Sequence, residues 1–181
     1  MDTLNAQRSN PEKLRILMLH GFAQSARMFE SKTKSLREHL ESHIPPAPAY
    51  GYIPRYPGGI EFHFITAPIE LALTDIPEAI FSAEERARKL LNAYGWWQRR
   101  GKEDFCFYEG LEAALQSIAL ALGQQGPFDG IMGVSQSGTA AAIVASSLEP
   151  GRGSHFSIAQ REGGMPYHIR IDLSIHPCGS Q

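Results

Sequence analysis

Ser135 lies in a stretch whose residue types and spacing suit a nucleophilic serine. Gly133 and Ser135 match the first two fixed positions of the G-x-S-x-G pattern, and Ser137 stands where the second glycine belongs. In that pattern the serine occupies the apex of a sharp turn between a strand and a helix, with its hydroxyl exposed. Position 137 needs a small residue because the helix backs closely on the strand. The spacing predicts nucleophilic catalysis by Ser135 through an acyl-enzyme.

The same residues also fit a Gly/Ser-rich turn that only caps a helix. Patterns this short recur by chance, so their structural context has to support them. Residues 127–148 provide it, since an apolar strand, the turn and an Ala-rich helix come one after another. In this arrangement the backbone N–H of Gln136, at the helix N-terminus, would face a developing oxyanion.

A second oxyanion donor is predicted after the first strand of the chain. Residues 14–19, LRILML, form a continuous apolar run that is typical of a strand buried in a parallel sheet. His20-Gly21-Phe22 comes directly after it, and the carboxyl ends of parallel strands meet at one edge of a sheet. The Phe22 N–H is therefore expected at the same site. We expect His20 to be a hydrogen-bonded structural residue and not the base.

The remaining segments predict an α/β alternation. Residues 25–43 and 109–123 show helical spacing of apolar side chains, and 60–67 alternate as a strand does. Residues 69–97 are expected to be irregular over the mouth of the site. They end at Trp96 and Trp97, which are either a packing plug or the wall of an acyl pocket. Further strands are predicted at 155–159 and 167–176. The fold class is α/β, with a mainly parallel sheet flanked by helices.

Length and composition narrow the function class. A chain of 181 residues suggests a single domain, here residues 14–181 after a loose N-terminal arm at 1–13. A net charge of −2 argues against nucleic acid or an anionic membrane as partner. Cys106 and Cys178 lack metal-ligand spacing, so we expect free thiols, no metal and no cofactor. We find no signal peptide or membrane span in the sequence and expect a cytoplasmic protein.

Three stretches resemble the fungal serine hydrolase family of the α/β-hydrolase fold. This family includes small esterases and the thioesterases of polyketide clusters, of the type that releases lovastatin's nonaketide. The matching stretches are LRILMLHGFAQSARMF, AYGWWQRR with YEGLEAALQSIA, and GPFDGIMGVSQSGTAAAI. The resemblance implies that Ser135 is the nucleophile and that Phe22 and Gln136 donate oxyanion N–H groups. It also implies an acyl ester or thioester as substrate, in secondary metabolism, with a polyketide synthase acyl carrier as a partner.

The catalytic acid and base are less clear. In this fold the chain order is Ser, then Asp or Glu, then His. Asp172 and His176 have that order, but they lie four residues apart within one predicted strand, whereas the family places the two on separate loops. The segment IDLSIHPCGSQ resembles the family's penultimate strand, ahead of the catalytic Asp. We therefore expect a C-terminally truncated domain that lacks the final strand and helix, with the acid and base beyond Gln181. A peroxisomal C-terminal address could have been lost with that tail.

Three functions remain open from the sequence. The first is a hydrolase that cleaves esters or thioesters. The second is a truncated, inactive pseudoenzyme that binds an acyl ligand or a partner without turnover. The third is a non-catalytic α/β module.

Overall fold

A three-stranded parallel sheet forms the centre of the molecule. The computed structural model describes residues 11–76, 92–102, 105–148, 156–159 and 168–171. Strands β1 (Leu14–Leu19), β2 (Ile60–Ile65) and β7 (Gly130–Gly133) run parallel in the order β2-β1-β7. Leu19 pairs with Ile65 on one side and with Gly133 on the other, so all three strands end at one edge. The sheet confirms the predicted mainly parallel α/β fold.

The central strand is buried because its apolar run is covered on both faces. Leu17, Met18 and Leu19 have no exposed surface. The main core cluster joins this strand to the helices and to the two tryptophans. Its buried members are Leu17, Leu19, Ala67, Trp96, Trp97, Ala114, Leu115, Ile118, Ala121, Ala140, Ala141 and Val144.

The predicted helix at 25–43 is wrong in one respect, because it is two helices. Helix α1 covers Ala26–Lys32 and α2 covers Lys34–His43. The Thr33 hydroxyl donates to the Phe29 backbone oxygen over 2.8 Å, and Thr33 N–H donates to the same oxygen over 2.9 Å. Thr33 has left the helical region, with φ −93° and ψ 9°. Apolar spacing continues across such a break, so periodicity alone did not reveal it.

Small antiparallel elements connect β2 to the next long helix. They are β3 (Ile69–Glu70), a 3₁₀ turn at Leu73–Asp75, β4 (Tyr94–Gly95), β5 (Gln98–Lys102) and β6 (Phe105–Glu109). β3 pairs with β4, and β5 pairs with β6 as a hairpin that the sequence patterns did not predict. Residues 69–97 were expected to be irregular, but their described parts contain the short β3–β4 pair and the 3₁₀ turn. Residues 77–91 lie outside the described ranges.

Two longer helices flank the sheet as predicted. Helix α3 spans Leu111–Gln125 and buries Leu115 and Ile118, while Leu111 and Leu122 are partly buried against the same core. Helix α4 spans Gln136–Leu148 and comes shortly after β7. None of the helices within the described ranges is long and apolar enough to cross a bilayer.

The two C-terminal strands form a pair of their own. Strands β8 (Phe156–Ala159) and β9 (His168–Ile171) are antiparallel to each other and lie outside the parallel sheet. β8 contacts α4, and β9 contacts α3. Strand formation is thus confirmed for these residues, and 172–176 fall outside the described ranges.

The end of the predicted N-terminal arm contacts the body of the domain. The Glu12 backbone oxygen accepts a hydrogen bond from Gly58 N–H over 2.8 Å. The Lys13 ammonium lies 3.0 Å from the Glu61 carboxylate. Residues 1–10 of the arm lie outside the described ranges.

Candidate active site

Ser135 occupies a strained backbone conformation between β7 and α4. Its φ is +57°, in the left-handed region that residues with a Cβ rarely adopt. Helix α4 begins at the next residue, Gln136, and Ser135 is exposed. Strain of this kind costs about 1–3 kcal/mol and collects at functional sites. The geometry is that of a nucleophile elbow, as the spacing predicted.

Gly133 is required by the tightness of this turn. A Cβ at position 133 would overlap the backbone carbonyl of Ser137. The first glycine of the pattern is therefore fixed by a close approach of two backbones.

At the elbow, Ser137 places a side chain with a hydroxyl group where the G-x-S-x-G pattern has glycine. The residue is fully buried, and its Oγ accepts a hydrogen bond from Val134 N–H over 2.8 Å. The same Oγ donates to the Leu19 backbone oxygen over 2.7 Å. The sequence pattern accounted for Ser137 by its size alone and gave no sign of these bonds.

The loop after β1 lies beside the elbow because β1 and β7 are adjacent and end together. Ala23, in this loop, is the second non-glycine residue of the described ranges with positive φ, at +56°. Ala23 directly follows Phe22, and Ser135 directly precedes Gln136. Each residue with positive φ is therefore the chain neighbour of one predicted oxyanion donor. Phe22 and Gln136, the two predicted oxyanion donors, line one cavity of about 320 Å³.

Polar and apolar groups both contribute to this cavity. Its wall consists of Phe22, Asp75, Trp97, Gln98, Arg99, Arg100 and Gln136. Arg100 Nε lies 2.8 Å from the Glu109 carboxylate, and its Nη2 lies 3.4 Å from Asp75. The arginines come from the β5–β6 hairpin. The basic-aromatic run at 96–100 is the sequence signal that could have indicated this wall.

The two tryptophans differ in role. Trp96 has no exposed surface and belongs to the core, as the packing interpretation predicted. Trp97 belongs to the core cluster and also lines the cavity. The Gln136 side chain holds this segment in place, since it accepts from Trp96 N–H over 2.9 Å and donates to the Trp97 oxygen over 2.7 Å.

His20 is a structural residue in this arrangement. Its Nδ1 lies 2.7 Å from the Gly21 oxygen, and its Nε2 accepts from Ala67 N–H over 2.9 Å. These partners fix a neutral tautomer with the proton on Nδ1. Burial lowers the pKa of His20 and so favours the neutral ring. Both ring nitrogens are engaged, and neither is left to accept a proton from Ser135.

The predicted acid and base, Asp172 and His176, lie outside the described residues. Of the histidines the structure describes, His20 is engaged by backbone groups and His63 lies 2.9 Å from the Glu61 carboxylate. His39 and His43 stack on each other on the exposed helix α2. Across the described ranges, no group of three His, Cys, Asp or Glu side chains could hold a metal ion.

Comparison with known proteins agrees with this geometry. The "Serine hydrolase (FSH1)" family model matches residues 9–181. Human esterase OVCA2 is 34% identical over 149 residues, which cover 76% of this chain and 57% of OVCA2. The Xenopus tropicalis OVCA2 esterase is 30% identical over 145 residues, 76% of this chain and 55% of that esterase. A Schizosaccharomyces pombe protein named dihydrofolate reductase is 30% identical over 146 residues, 77% of this chain and 27% of that protein.

The chain therefore spans about half the length of the OVCA2 esterases and about a quarter of the fission yeast protein. Its mainly parallel sheet flanked by helices is of the α/β-hydrolase type, and the family match covers the elbow and the loop after β1. The chain belongs to the FSH1 serine hydrolase family.

Proposed function

We propose that the protein hydrolyses a carboxylic ester or thioester through an acyl-enzyme on Ser135. The observation that carries the proposal is the backbone of Ser135, at φ +57° on a strand-to-helix turn. A strained serine that follows a strand of the parallel sheet, exposed at the apex of the turn, is what an attacking hydroxyl needs. The family match is the second support.

The proposed reaction has two halves. The Ser135 Oγ forms a bond to the substrate carbonyl carbon, and a base takes the hydroxyl proton. The carbonyl oxygen becomes an oxyanion that accepts hydrogen bonds from the N–H groups of Phe22 and Gln136. When the C–O or C–S bond breaks, the leaving alcohol or thiol takes that proton. Water then cleaves the acyl-enzyme by the same route and releases a carboxylic acid.

Asp172 and His176 remain the candidates for acid and base within this chain. The alternative is a pair on loops after two different strands, as the family resemblance implies. Both arrangements assign the same role to Ser135, so the identity of the base needs a separate test.

The cavity favours an acyl group of modest size. Its volume of about 320 Å³ is at the lower end of the range for small-molecule sites, roughly 300–1,000 Å³. Phe22 and Trp97 offer apolar contact in this cavity, which Gln136, the residue after Ser135, also lines. We extend the proposal to an acyl or polyketide chain, presented as a thioester on a polyketide synthase carrier in fungal secondary metabolism. The three matching sequence stretches support this narrower assignment.

A second candidate function is acyl binding without turnover. It is favoured by the histidines whose side chains the structure describes, His20, His39, His43 and His63, since their contacts are with groups other than the Ser135 hydroxyl. A serine without a base keeps its position but is a weak nucleophile.

The test is to assay the chain and Ser135→Ala on p-nitrophenyl acetate, butyrate and octanoate and on the matching N-acetylcysteamine thioesters. A fluorophosphonate probe reports the nucleophile independently of turnover. Turnover that falls at least about 1,000-fold in Ser135→Ala is the expected result, since triad members contribute that much or more. Absence of both turnover and phosphonate labelling would support the binding function, since a serine without a base is a weak nucleophile. Turnover that is equal in both proteins would refute Ser135 as nucleophile.

The base is assigned with His176→Ala and Asp172→Asn in the same assay. A loss comparable with that of Ser135→Ala identifies the pair within this chain. Unchanged turnover in both variants refutes the pair and assigns the base to another group of the assayed chain.

A further inference from the structure

The Ser137 hydroxyl connects the two halves of the proposed oxyanion site. On one side it accepts from Val134 N–H over 2.8 Å, directly before Ser135 and Gln136. On the other it donates to the Leu19 oxygen over 2.7 Å, three residues before Phe22. The Val134 oxygen is farther, at 3.0 Å, and a hydroxyl has one proton to give. The shorter contact therefore crosses from the elbow to β1.

The hydrogen bond from Ser137 to Leu19 links the two segments that carry the proposed oxyanion donors, Gln136 and Phe22. These two donors must be aligned with each other. An oxyanion hole requires both N–H groups at about 3 Å from one oxygen atom. Gln136 N–H moves with the elbow, and Phe22 N–H moves with the loop after β1. Leu19 and Gly133 are paired in the sheet, but the ladder ends there, because the two segments diverge into a loop and a helix. Ser137 Oγ adds a polar contact from the elbow to Leu19, the residue at which the ladder ends.

Two observations show that the hydroxyl is more than a tolerated small side chain. Ser137 is fully buried, so its bonds are shielded from competing water. Its Oγ also bonds to backbone groups of two different segments, Val134 N–H at 2.8 Å and the Leu19 oxygen at 2.7 Å, so hydrogen bonds as well as size hold position 137.

We propose that Ser137 is a positioning residue that aligns the Phe22 and Gln136 N–H groups through its bonds to Leu19 and Val134. The inference rests on the proposed hydrolase function for its catalytic consequence. Removing the hydroxyl should leave substrate binding nearly intact but loosen the alignment needed in the transition state. Loss of one complete oxyanion donor lowers kcat about 100- to 1,000-fold, so a loosened alignment should cost about tenfold.

The decisive variants are Ser137→Gly and Ser137→Ala. Glycine is the residue that the G-x-S-x-G pattern carries at this position, and neither replacement is larger than serine. If size alone mattered, both variants would match the parent. We expect kcat for p-nitrophenyl butyrate to fall about tenfold in both, with KM within about twofold. The affinity for phenylboronic acid, which forms a tetrahedral adduct on the nucleophile, should fall in parallel with kcat.

The matched control is Ser146→Ala on the same helix. Ser146 Oγ donates to the Ile143 oxygen over 2.8 Å, a local bond within α4 that does not reach the elbow. This variant should keep the kcat of the parent. An unchanged kcat in both Ser137 variants would overturn the inference while leaving Ser135 as nucleophile untouched.

A second measurement keeps the inference testable if the parent does not turn over. In ¹⁵N-labelled protein, the amide resonances of Phe22 and Gln136 should shift in Ser137→Ala and stay in place in Ser146→Ala. Hydrogen exchange at the Val134 amide should accelerate in Ser137→Ala, since that N–H loses its acceptor. In a parent without turnover, shifted resonances support the alignment role, and unshifted resonances with unchanged Val134 exchange refute it.

Discussion

The indole Nε1 of Trp96 donates a hydrogen bond to the backbone oxygen of His20 over 2.7 Å, and both residues are fully buried. The two rings also contact each other, with centroids 5.4 Å apart. His20 in turn holds Ala67 N–H through its Nε2. Trp96 thus fixes the start of the loop that carries Phe22, in addition to filling the core.

Trp96→Phe should destabilise the fold by about 2–4 kcal/mol. The smaller ring leaves a void, and the His20 oxygen loses its donor in a dry environment, which alone costs about 1–3 kcal/mol. Urea unfolding followed by circular dichroism measures the change. Trp97→Phe is the control, because Trp97 is 9% exposed and lines the cavity. It should cost less stability, and equal losses in the two variants would contradict the special role of the Trp96 bond.

Ser135→Gly should be more stable than Ser135→Ala by about 1 kcal/mol. Alanine keeps the Cβ that is unfavourable at φ +57°, whereas glycine has none. Thermal unfolding of the two variants gives the difference. At Ser146, in the helix α4, the same pair of substitutions should reverse its order, since alanine is the better helix former. The same order at both positions would count against backbone strain at the elbow.

Gly133→Ala should cost several kcal/mol and abolish hydrolysis, because its Cβ would overlap the Ser137 backbone. Gly138→Ala is the matched substitution five residues away, with no close contact around the added methyl group. It should raise the free energy of unfolding by up to about 1 kcal/mol through helix propensity. Both variants are compared by urea unfolding and by turnover. A stable, active Gly133→Ala would disprove the tight turn.

Glu61 should contribute an acid-sensitive part of the stability. Hydrogen bonds from the His63 ring, and then from the Lys13 ammonium, lower the pKa of Glu61 to about 2. Because the folded-state pKa lies below the unfolded value of about 4.5, the stabilisation is complete above pH 4.5 and is lost as the pH falls towards 2.

Glu61→Gln should therefore be less stable than the parent at pH 7, by about 1 kcal/mol once solvent screening of this one-third exposed group is included. The difference in the free energy of unfolding between the parent and Glu61→Gln should disappear as the pH falls from 4.5 to 2. Urea unfolding measured across that range tests this. Glu38→Gln is the control, since Glu38 is 61% exposed and lies 3.7 Å from Lys34. A gap for Glu61→Gln that is constant from pH 7 to 2.5 would refute the assignment.

Sequence patterns predicted those parts of the site whose conformation depends on residues close together in the chain. The apolar run before His20 specifies a strand and the loop after it, and the G-x-S pattern before an Ala-rich helix specifies a strand and a turn. Since parallel strands end at one edge, these two signals also predicted that Phe22 and Gln136 would line one cavity. Position 133 needs glycine because a Cβ there would overlap the backbone of Ser137, which is close in the chain.

The contacts between segments that are distant in the chain depend on the tertiary structure, and the sequence patterns did not predict them. The Ser137 hydroxyl reaches Leu19 across 118 residues of chain, and the Trp96 indole reaches His20 across 76. No periodicity or spacing encodes such pairs, because a hydroxyl or an indole N–H bonds to whichever carbonyl the packing brings near. The sequence by itself determined the fold class and the elbow, and the packing of distant backbones determined which side chains hold the elbow in place.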